Sequence, residues 1–530
     1  MERKKVLIAE KVNIECIKGV LEPHVQVDVK LDLSREELLR EIKEYDGLIV
    51  RSSTKVNKEL FSKAEKLKVV GRAGNGIDNI DIDEATKKGI VVANTPDSNS
   101  ISACELTIGL LLASARNIYQ ASSYLKAGKW DRKRFIGSEL YNKTLGIIGL
   151  GRIGGLVAAR MAAFDMNIIA YDPYIPDERF ERFKATKKET LEELLAESDF
   201  ITIHTPKTSE TIGMIGEDQI KKMKDGVRIV NVARGGIIDE KALLQGLKSQ
   251  KVVGAGLDVH ENEPSYDNPL FELYNTVVTP HIGASTLEAQ QNVGETIAKQ
   301  VLCALEGEVI PNAINLPTLN RHELKVIKPY LDLMEKLGKI YYQLYTTPID
   351  MVDINYYGSI ANQDVEMITV AFLKGLLEPV IRERVNYVNA KLIAKQRGIV
   401  INERKINENY KGYTDLIKVK IKSKDILFTL SGNLSTKNEG RLIEILGYEV
   451  DVTPSKHMLF IQNRDIPGMV GKIGTVLGRE NINIASMQVG RLEIGEKALM
   501  VLNVDNEVSM ENIDKVKKID NIISAKKVKL

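Results

Sequence analysis

The chain has 530 residues, enough for about three or four domains, and its 74 Lys+Arg against 72 Asp+Glu leave a net charge of +2. No global field therefore draws it to nucleic acid or to a membrane surface, and neither partner is expected. Hydrophobic residues make up 43 %, ample for several cores, and the three scattered cysteines (Cys16, Cys104, Cys303) exclude a disulfide framework and show no metal-ligand spacing.

The basic start Met1-Glu-Arg-Lys-Lys leads into a short apolar run, Val6–Ala9, too short for a signal-peptide core, and no apolar run approaches membrane-spanning length. A cytoplasmic location is expected. Residues 4–97 alternate short apolar runs (Val6–Ala9, Gly47–Val50, Lys68–Val70, Ile90–Ala93) with amphipathic segments such as Ser34–Lys43, which predicts a small parallel α/β domain. Ser100–Ala115 has helical length and a polar Ser-Asn-Ser entry; Glu105 and Arg116 mark it as a buried linking helix rather than a membrane span.

Leu145-Gly-Ile-Ile-Gly149-Leu-Gly151-Arg152-Ile153-Gly154-Gly155 then reads as a buried strand, a glycine turn and the start of a helix, and Ile168–Asp172 as a second strand ending in an acid. Gly149 permits the tight turn, Gly151 lets backbone approach a pyrophosphate, Gly154 lets helix pack on strand, and the helix N-terminus attracts the phosphates. Asp172 is placed to accept hydrogen bonds from an adenosine ribose, and a carboxylate there repels an additional phosphate, so the cofactor is read as NAD. Strands are predicted at 144–148, 167–171, 200–204, 228–233, 254–258 and 276–279, a doubly wound sheet. A helix follows Gly283 through Leu305, and residues 312–320 look like a linker.

Residues 321–450 mix helical runs (Leu324–Leu344, Met367–Ala394) with strands (Asp350–Tyr356, Leu416–Ser423, Ile426–Gly432) and announce no chemistry. The tail predicts strand 456–462, a helix from Pro467-Gly468 through Gly478, strands 482–490 and 498–504, helix 509–519 and strand 522–529. That is the βαββαβ, ferredoxin-like order.

Three residues sit just past predicted strand ends, where an open α/β sheet builds its sites. Arg234, before Gly235-Gly236, is placed to clamp a carboxylate bidentately. His281, in Thr279-Pro-His-Ile-Gly283, is a candidate base, and Glu263 would stabilise its imidazolium if the two touch. Each taken alone reads as a structural or solvated residue. Beside the glycine fingerprint, the three together read as a dehydrogenase.

At these residues, with Phe200–Pro206, Met223–Ile238, Asp258–Pro264 and Pro280–Ser285, the chain resembles the D-isomer-specific 2-hydroxyacid dehydrogenases over most of residues 1–312. The resemblance implies Arg234, Glu263 and His281 as the catalytic set. It also implies an NAD site of Gly149, Gly151, Arg152, Ile153, Gly154, Asp172, Thr205, Val232, Ala233, Asp258, Gly283 and Ala284.

Arg51–Val56, Gly71–Asn79 and Trp130–Phe135 resemble segments of the members that oxidise 3-phospho-D-glycerate to 3-phosphohydroxypyruvate, the first step of L-serine biosynthesis. Arg51, Arg72, Asn75 and Gly76 then become substrate-binding candidates. Arg134 is a further one, contributed by a neighbouring subunit of a homodimer or homotetramer.

The C-terminal unit resembles an ACT domain, a binder of small amino acids. Its loop pattern offers Asp465 and Asn483 as effector-binding residues, with L-serine as the expected effector.

The implied architecture is a Rossmann NAD domain (98–282) inserted in a flavodoxin-like substrate domain (1–97 plus 283–312). An α/β intervening domain (313–454) and the ACT domain (455–530) follow, and no metal is expected. Two rival readings stay open. One is another family member, such as a glyoxylate or hydroxypyruvate reductase or a D-lactate dehydrogenase. The other is an NAD-sensing transcriptional corepressor; the ordered tail and the absence of a basic arm weigh against it.

Overall fold

The computed structural model describes residues 3–530 except 97, 311, 318–320, 346, 382–383 and 425, and the side chains of 321 and 322. Strands β1 (Lys5–Ile8), β2 (Gln26–Val29), β3 (Gly47–Val50), β4 (Val69–Arg72) and β5 (Val91–Ala93) form a parallel sheet of order β2-β1-β3-β4-β5, the flavodoxin-like arrangement. Gly47–Val50 is buried throughout, as a parallel strand covered on both faces requires. Sequence reading missed β2 because it lies at the sheet's edge with its first residue exposed, and so lacks an apolar run.

The long helix Leu287–Glu306 returns to this sheet, seating Ile297 and Val301 over Gly71, where a Cβ would come within 2.9 Å of both. Residues 312–316, expected as a linker, are pinned instead. The Asn315 side chain pairs with the backbone of Ile90 and Val92, and Ala313 and Leu316 are buried. The end of that segment, 318–320, lies outside the described residues.

The second sheet contains β6 (Thr144–Ile148), β7 (Asn167–Tyr171), β8 (Thr186–Lys187), β9 (Phe200–Ile203), β10 (Val227–Asn231), β11 (Val252–Leu257) and β12 (Thr276–Val278). All are parallel, in the order β12-β11-β10-β9-β6-β7-β8, with the reversal of winding beside β6. The helix Ser100–Arg116 packs on this sheet, with Gly256 making room against Leu110. No single helix among the described residues is long and apolar enough to cross a membrane; that helix and its bent neighbour Ile118–Lys126 pass the length and composition test only as a pair.

The third sheet has β13 (Met351–Gly358), β14 (Val400–Ile406), β15 (Asp415–Ser423), β16 (Ile426–Leu434), β17 (Gly440–Ile445) and β18 (Tyr448–Val452), in the order β14-β13-β15-β16-β17-β18. Two helices, Arg321–Leu344 and Glu366–Leu377, cover one face and cross where Gly338 and Gly375 bring their backbones together. The helix expected over 367–394 ends at Leu377 instead, because Pro379 cannot continue it. The chain beyond docks on the first lobe, with Asn386 donating to the Gly89 carbonyl at 2.6 Å and Tyr387 and Val388 joining that lobe's core.

The last unit, β19 (His457–Arg464), β20 (Ile484–Arg491), β21 (Lys497–Val504) and β22 (Ile522–Lys529), is an antiparallel sheet of order β20-β21-β19-β22 with helices Met469–Arg479 and Met510–Lys517, the expected ferredoxin-like fold. Its other face is covered where Phe460, Leu499, Val501 and Val528 join the core of the third domain.

Candidate active site

The chain crosses between the first two lobes at 94–100 and again near 283–287, so a cleft lies between their strand ends. On the second lobe Gly149 adopts φ +90°, and a Cβ there would meet the His204 carbonyl at 2.8 Å. Gly154 packs so closely on the Gly149 carbonyl that any Cβ overlaps it. Gly151 caps the helix Arg152–Ala162, with nothing within 4 Å of where its Cβ would stand, an open cradle at the helix N-terminus. Asp172 accepts from the amides of Leu150 (3.0 Å) and Tyr174 (3.1 Å), which fixes its carboxylate over the glycine turn.

Thr205 opposite carries a buried hydroxyl without a partner. Val232, Ala233, Gly283 and Ala284 line the same carboxyl ends of β10 and the β12 loop. The cradle and the orphan hydroxyl fit an NAD molecule.

His281 and Glu263 are brought together. His281 Nδ1 lies 2.6 Å from Glu263 Oε2, and Glu263 Oε1 accepts the His260 amide at 3.0 Å. Partial burial pushes the Glu263 carboxyl up, but the hydrogen bonds from His281 and the His260 amide outweigh it and hold it below the usual carboxylate range. His281 stands in the left-handed region at φ 54°, held by the loop around it.

Asp258, proposed above as a cofactor contact, holds that loop. It is fully buried and accepts from the Thr279 hydroxyl (2.6 Å) and from the amides of Ile282 and Gly283 (both 2.8 Å).

Glu263 thus remains a carboxylate above the ordinary Glu value of about 4.3. A depressed folded pKa stabilises the fold above the unfolded value, and that contribution is lost as pH falls through the folded one. Glu263→Gln should leave NADH affinity intact and cost kcat about 1.5–3 kcal/mol of charged hydrogen bonding, a loss of about 10- to 150-fold. Its thermal-melting deficit relative to wild type should be present at pH 7 and fade in acid.

Arg234 sits on a turn organised by the buried Asn231, whose side chain accepts from Ala233 N (2.9 Å) and donates to the Arg234 carbonyl (3.0 Å). Gly235 packs directly on the His260 carbonyl, which sets Arg234 beside the segment that bears Glu263. The guanidinium reaches across the cleft to Asp78 (3.6 Å) and lies against Gly76, where a Cβ would displace it.

Burial, with the charges of Arg234 and Arg51, pushes Arg72 down to about 10, and its buried Nε has no hydrogen-bond partner. The charges of Arg51 and Arg234 thus act on Arg72, and Arg234 lies against Gly76; the neighbouring Asn75 carbonyl is held by Asn94 at 2.6 Å.

Arg134 is not in its own chain's cleft. It lies 5.2 Å from the ring centroids of both Tyr124 and Tyr274, and Tyr274 precedes the amino end of β12. Asp465 and Asn483 are not brought together either. β19 and β20 flank β21 and both run antiparallel to it, so Asp465 follows the end of one strand and Asn483 precedes the start of another with the same direction. An eight-residue strand, roughly 25 Å, separates those ends. Asp465 is engaged by Gly495 N (3.1 Å) and Arg491 (3.6 Å), and Asn483 by Asp505 (2.8 Å).

Sequence reading also missed the polar crossing between the lobes. Thr95, Asn99 and Ser100 carry buried side-chain oxygens without partners. The signal was there: a polar Asn94–Ser100 run between a buried strand and a buried helix.

The family model of the D-isomer-specific 2-hydroxyacid dehydrogenase NAD-binding domain matches residues 108–283, that of the D-3-phosphoglycerate dehydrogenase intervening domain 326–446, and that of the ACT domain 457–521. D-3-phosphoglycerate dehydrogenases of Methanocaldococcus jannaschii and Archaeoglobus fulgidus are 48 % and 46 % identical, over 98 % and 99 % of this chain and 98 % and 100 % of theirs. Among solved structures, the D-lactate dehydrogenase of Aquifex aeolicus with NAD and lactic acid aligns at TM-score 0.54 and 29 % identity, covering 59 % of this chain and all of that one. A glyoxylate reductase from Paecilomyes thermophila aligns at 0.55 and 32 %, covering 59 % and 99 %. The chain belongs to the D-isomer-specific 2-hydroxyacid dehydrogenase family, in its long D-3-phosphoglycerate dehydrogenase form with intervening and ACT domains, and its cofactor is NAD.

Proposed function

We propose that the cleft oxidises 3-phospho-D-glycerate to 3-phosphohydroxypyruvate, the entry step of L-serine synthesis, with Arg234, Glu263 and His281 as the catalytic set. The observation that carries this is that Arg234 reaches across the cleft to the first lobe, where its charge and that of Arg51 act on Arg72, while His281 and Glu263 pair at 2.6 Å. A substrate with one carboxylate needs one clamp, and a carboxylate plus a phosphate uses three cations. When bound, NAD supplies the ring that accepts hydride.

Arg234 and the amides near Asn75-Gly76 hold the carboxylate. Glu263 occupies Nδ1 of His281, leaving Nε2 to take the C2 hydroxyl proton as the carbon–hydrogen bond gives up its electron pair and the carbonyl forms. Arg234 then faces the growing negative charge on that oxygen.

The same reading supplies partners. Ile118, Tyr119, Trp130 and Ile136 form an exposed apolar arm, with Trp130 79 % and Ile136 81 % exposed, which supports a homo-oligomer. Arg134, carried on that arm, serves a neighbouring copy's cleft. L-serine is the effector of the ACT unit, and its two candidate ligands meet only if different copies supply them.

The test follows NADH absorbance with 3-phosphoglycerate, D-lactate and glycolate side by side, each with and without L-serine. Preferred turnover of 3-phosphoglycerate is expected. Preference for either unphosphorylated acid overturns the substrate assignment, and turnover indifferent to serine removes the effector.

A further inference from the structure

The loop that carries Arg51 has no regular structure between the end of β3 and the helix Lys58–Lys63, so other segments must hold its shape. Two side chains do so. Glu10, two residues past the carboxyl end of β1, accepts hydrogen bonds from the amides of Thr54 (2.8 Å) and Ser53 (3.3 Å). Asn79 donates its side-chain amide to the carbonyls of Arg51 (2.8 Å) and Thr54 (2.7 Å). The carboxylate takes the loop's amides and the carboxamide its carbonyls, so the backbone of Arg51–Thr54 is gripped from both sides.

Charge gives Glu10 a second task. Arg234 and Arg51 repel Arg72, and the carboxylates that offset this are Asp78 and Glu10. Asp78 lies against Arg234 across the cleft, and Glu10 acts on Arg72 from just past the end of β1. Like charges brought together without such compensation would drive the guanidiniums apart into water.

We propose that Glu10 is a positioning residue for the anionic end of the substrate: it sets the Arg51–Thr54 loop so that Arg51 stands beside Arg72, and it balances the arginine cluster before substrate arrives. Glu10 touches no reacting atom. The proposal rests on the reading of the cleft as a 3-phosphoglycerate site.

The test compares wild type with Glu10→Gln, which keeps the shape and loses the charge, and Glu10→Asp, which keeps the charge on a shorter arm. Three quantities are measured: kcat and KM for 3-phosphoglycerate, NADH affinity by fluorescence, and inorganic phosphate affinity by calorimetry. In Glu10→Gln, KM and the phosphate Kd should rise together by about tenfold. NADH affinity and kcat should hold, and Glu10→Asp should fall between.

Unchanged KM and phosphate Kd overturn the proposal. So does a loss of NADH affinity in step with them, the mark of a merely structural role, and so does a wild type that binds no phosphate. If wild type binds phosphate without turning over 3-phosphoglycerate, the substrate reading fails, while the phosphate Kd of Glu10→Gln still decides the role of Glu10.

Discussion

His281→Asn should lower kcat on the order of 10²–10⁴-fold, the usual contribution of a positioned acid–base group, with NADH affinity unchanged. Asparagine is the informative replacement because His281 lies at φ 54°, and asparagine tolerates the left-handed region better than alanine does. A loss seen with it reports the imidazole rather than a strained loop. The NAD cradle at Gly149–Gly154 and Asp172 belongs to β6 and β7 and draws nothing from the His281 ring. NADH titration by fluorescence alongside steady-state kinetics separates the two. Parallel loss of kcat and NADH binding would show that His281 holds the cofactor site together instead of moving a proton.

Arg234→Ala should cost about 2–5 kcal/mol in kcat/KM, the penalty for leaving a desolvated substrate anion without its partner, or roughly 30- to 5,000-fold. Arg234→Lys keeps the charge and loses the planar fork, so it should recover only part of that. Asp78 lies 3.6 Å from the guanidinium and is freed in both variants, which makes the lysine variant the better measure of fork geometry. Both should bind NADH as wild type does. A lysine variant with wild-type kcat/KM for 3-phosphoglycerate would mean that charge alone suffices and that no bidentate clamp operates.

The parts of the site legible in the sequence are those whose function depends on backbone. Gly149 and Gly154 announce a cradle because only glycine admits the turn at the first and the close helix packing at the second, and Gly151 leaves the space between them open. The strand ends announce Arg234 and His281 because an open parallel sheet puts its site at that edge. Supporting residues such as Asn231, Glu10 and Asn79 were not legible, and Asp258 was singled out as a cofactor contact rather than as the support of its loop. Each acts by hydrogen-bonding backbone in loops whose shape no periodicity encodes.

In the fold, parallel strands with continuous apolar runs were found, whereas edge strands β2 and β14 and the β17–β18 hairpin were not, their faces being mixed. Asp465 and Asn483 show the limit of motif reading. Two residues of one motif can stand at opposite ends of one small sheet.

Hydride removal from C2 of 3-phospho-D-glycerate in this cleft is checked with substrate deuterated at C2, the NADH product being analysed by mass spectrometry. NADH carrying one deuterium per 3-phosphohydroxypyruvate formed is the expected result, lost together with product in His281→Asn. Unlabelled NADH, or deuterium released to water without NADH, would contradict it.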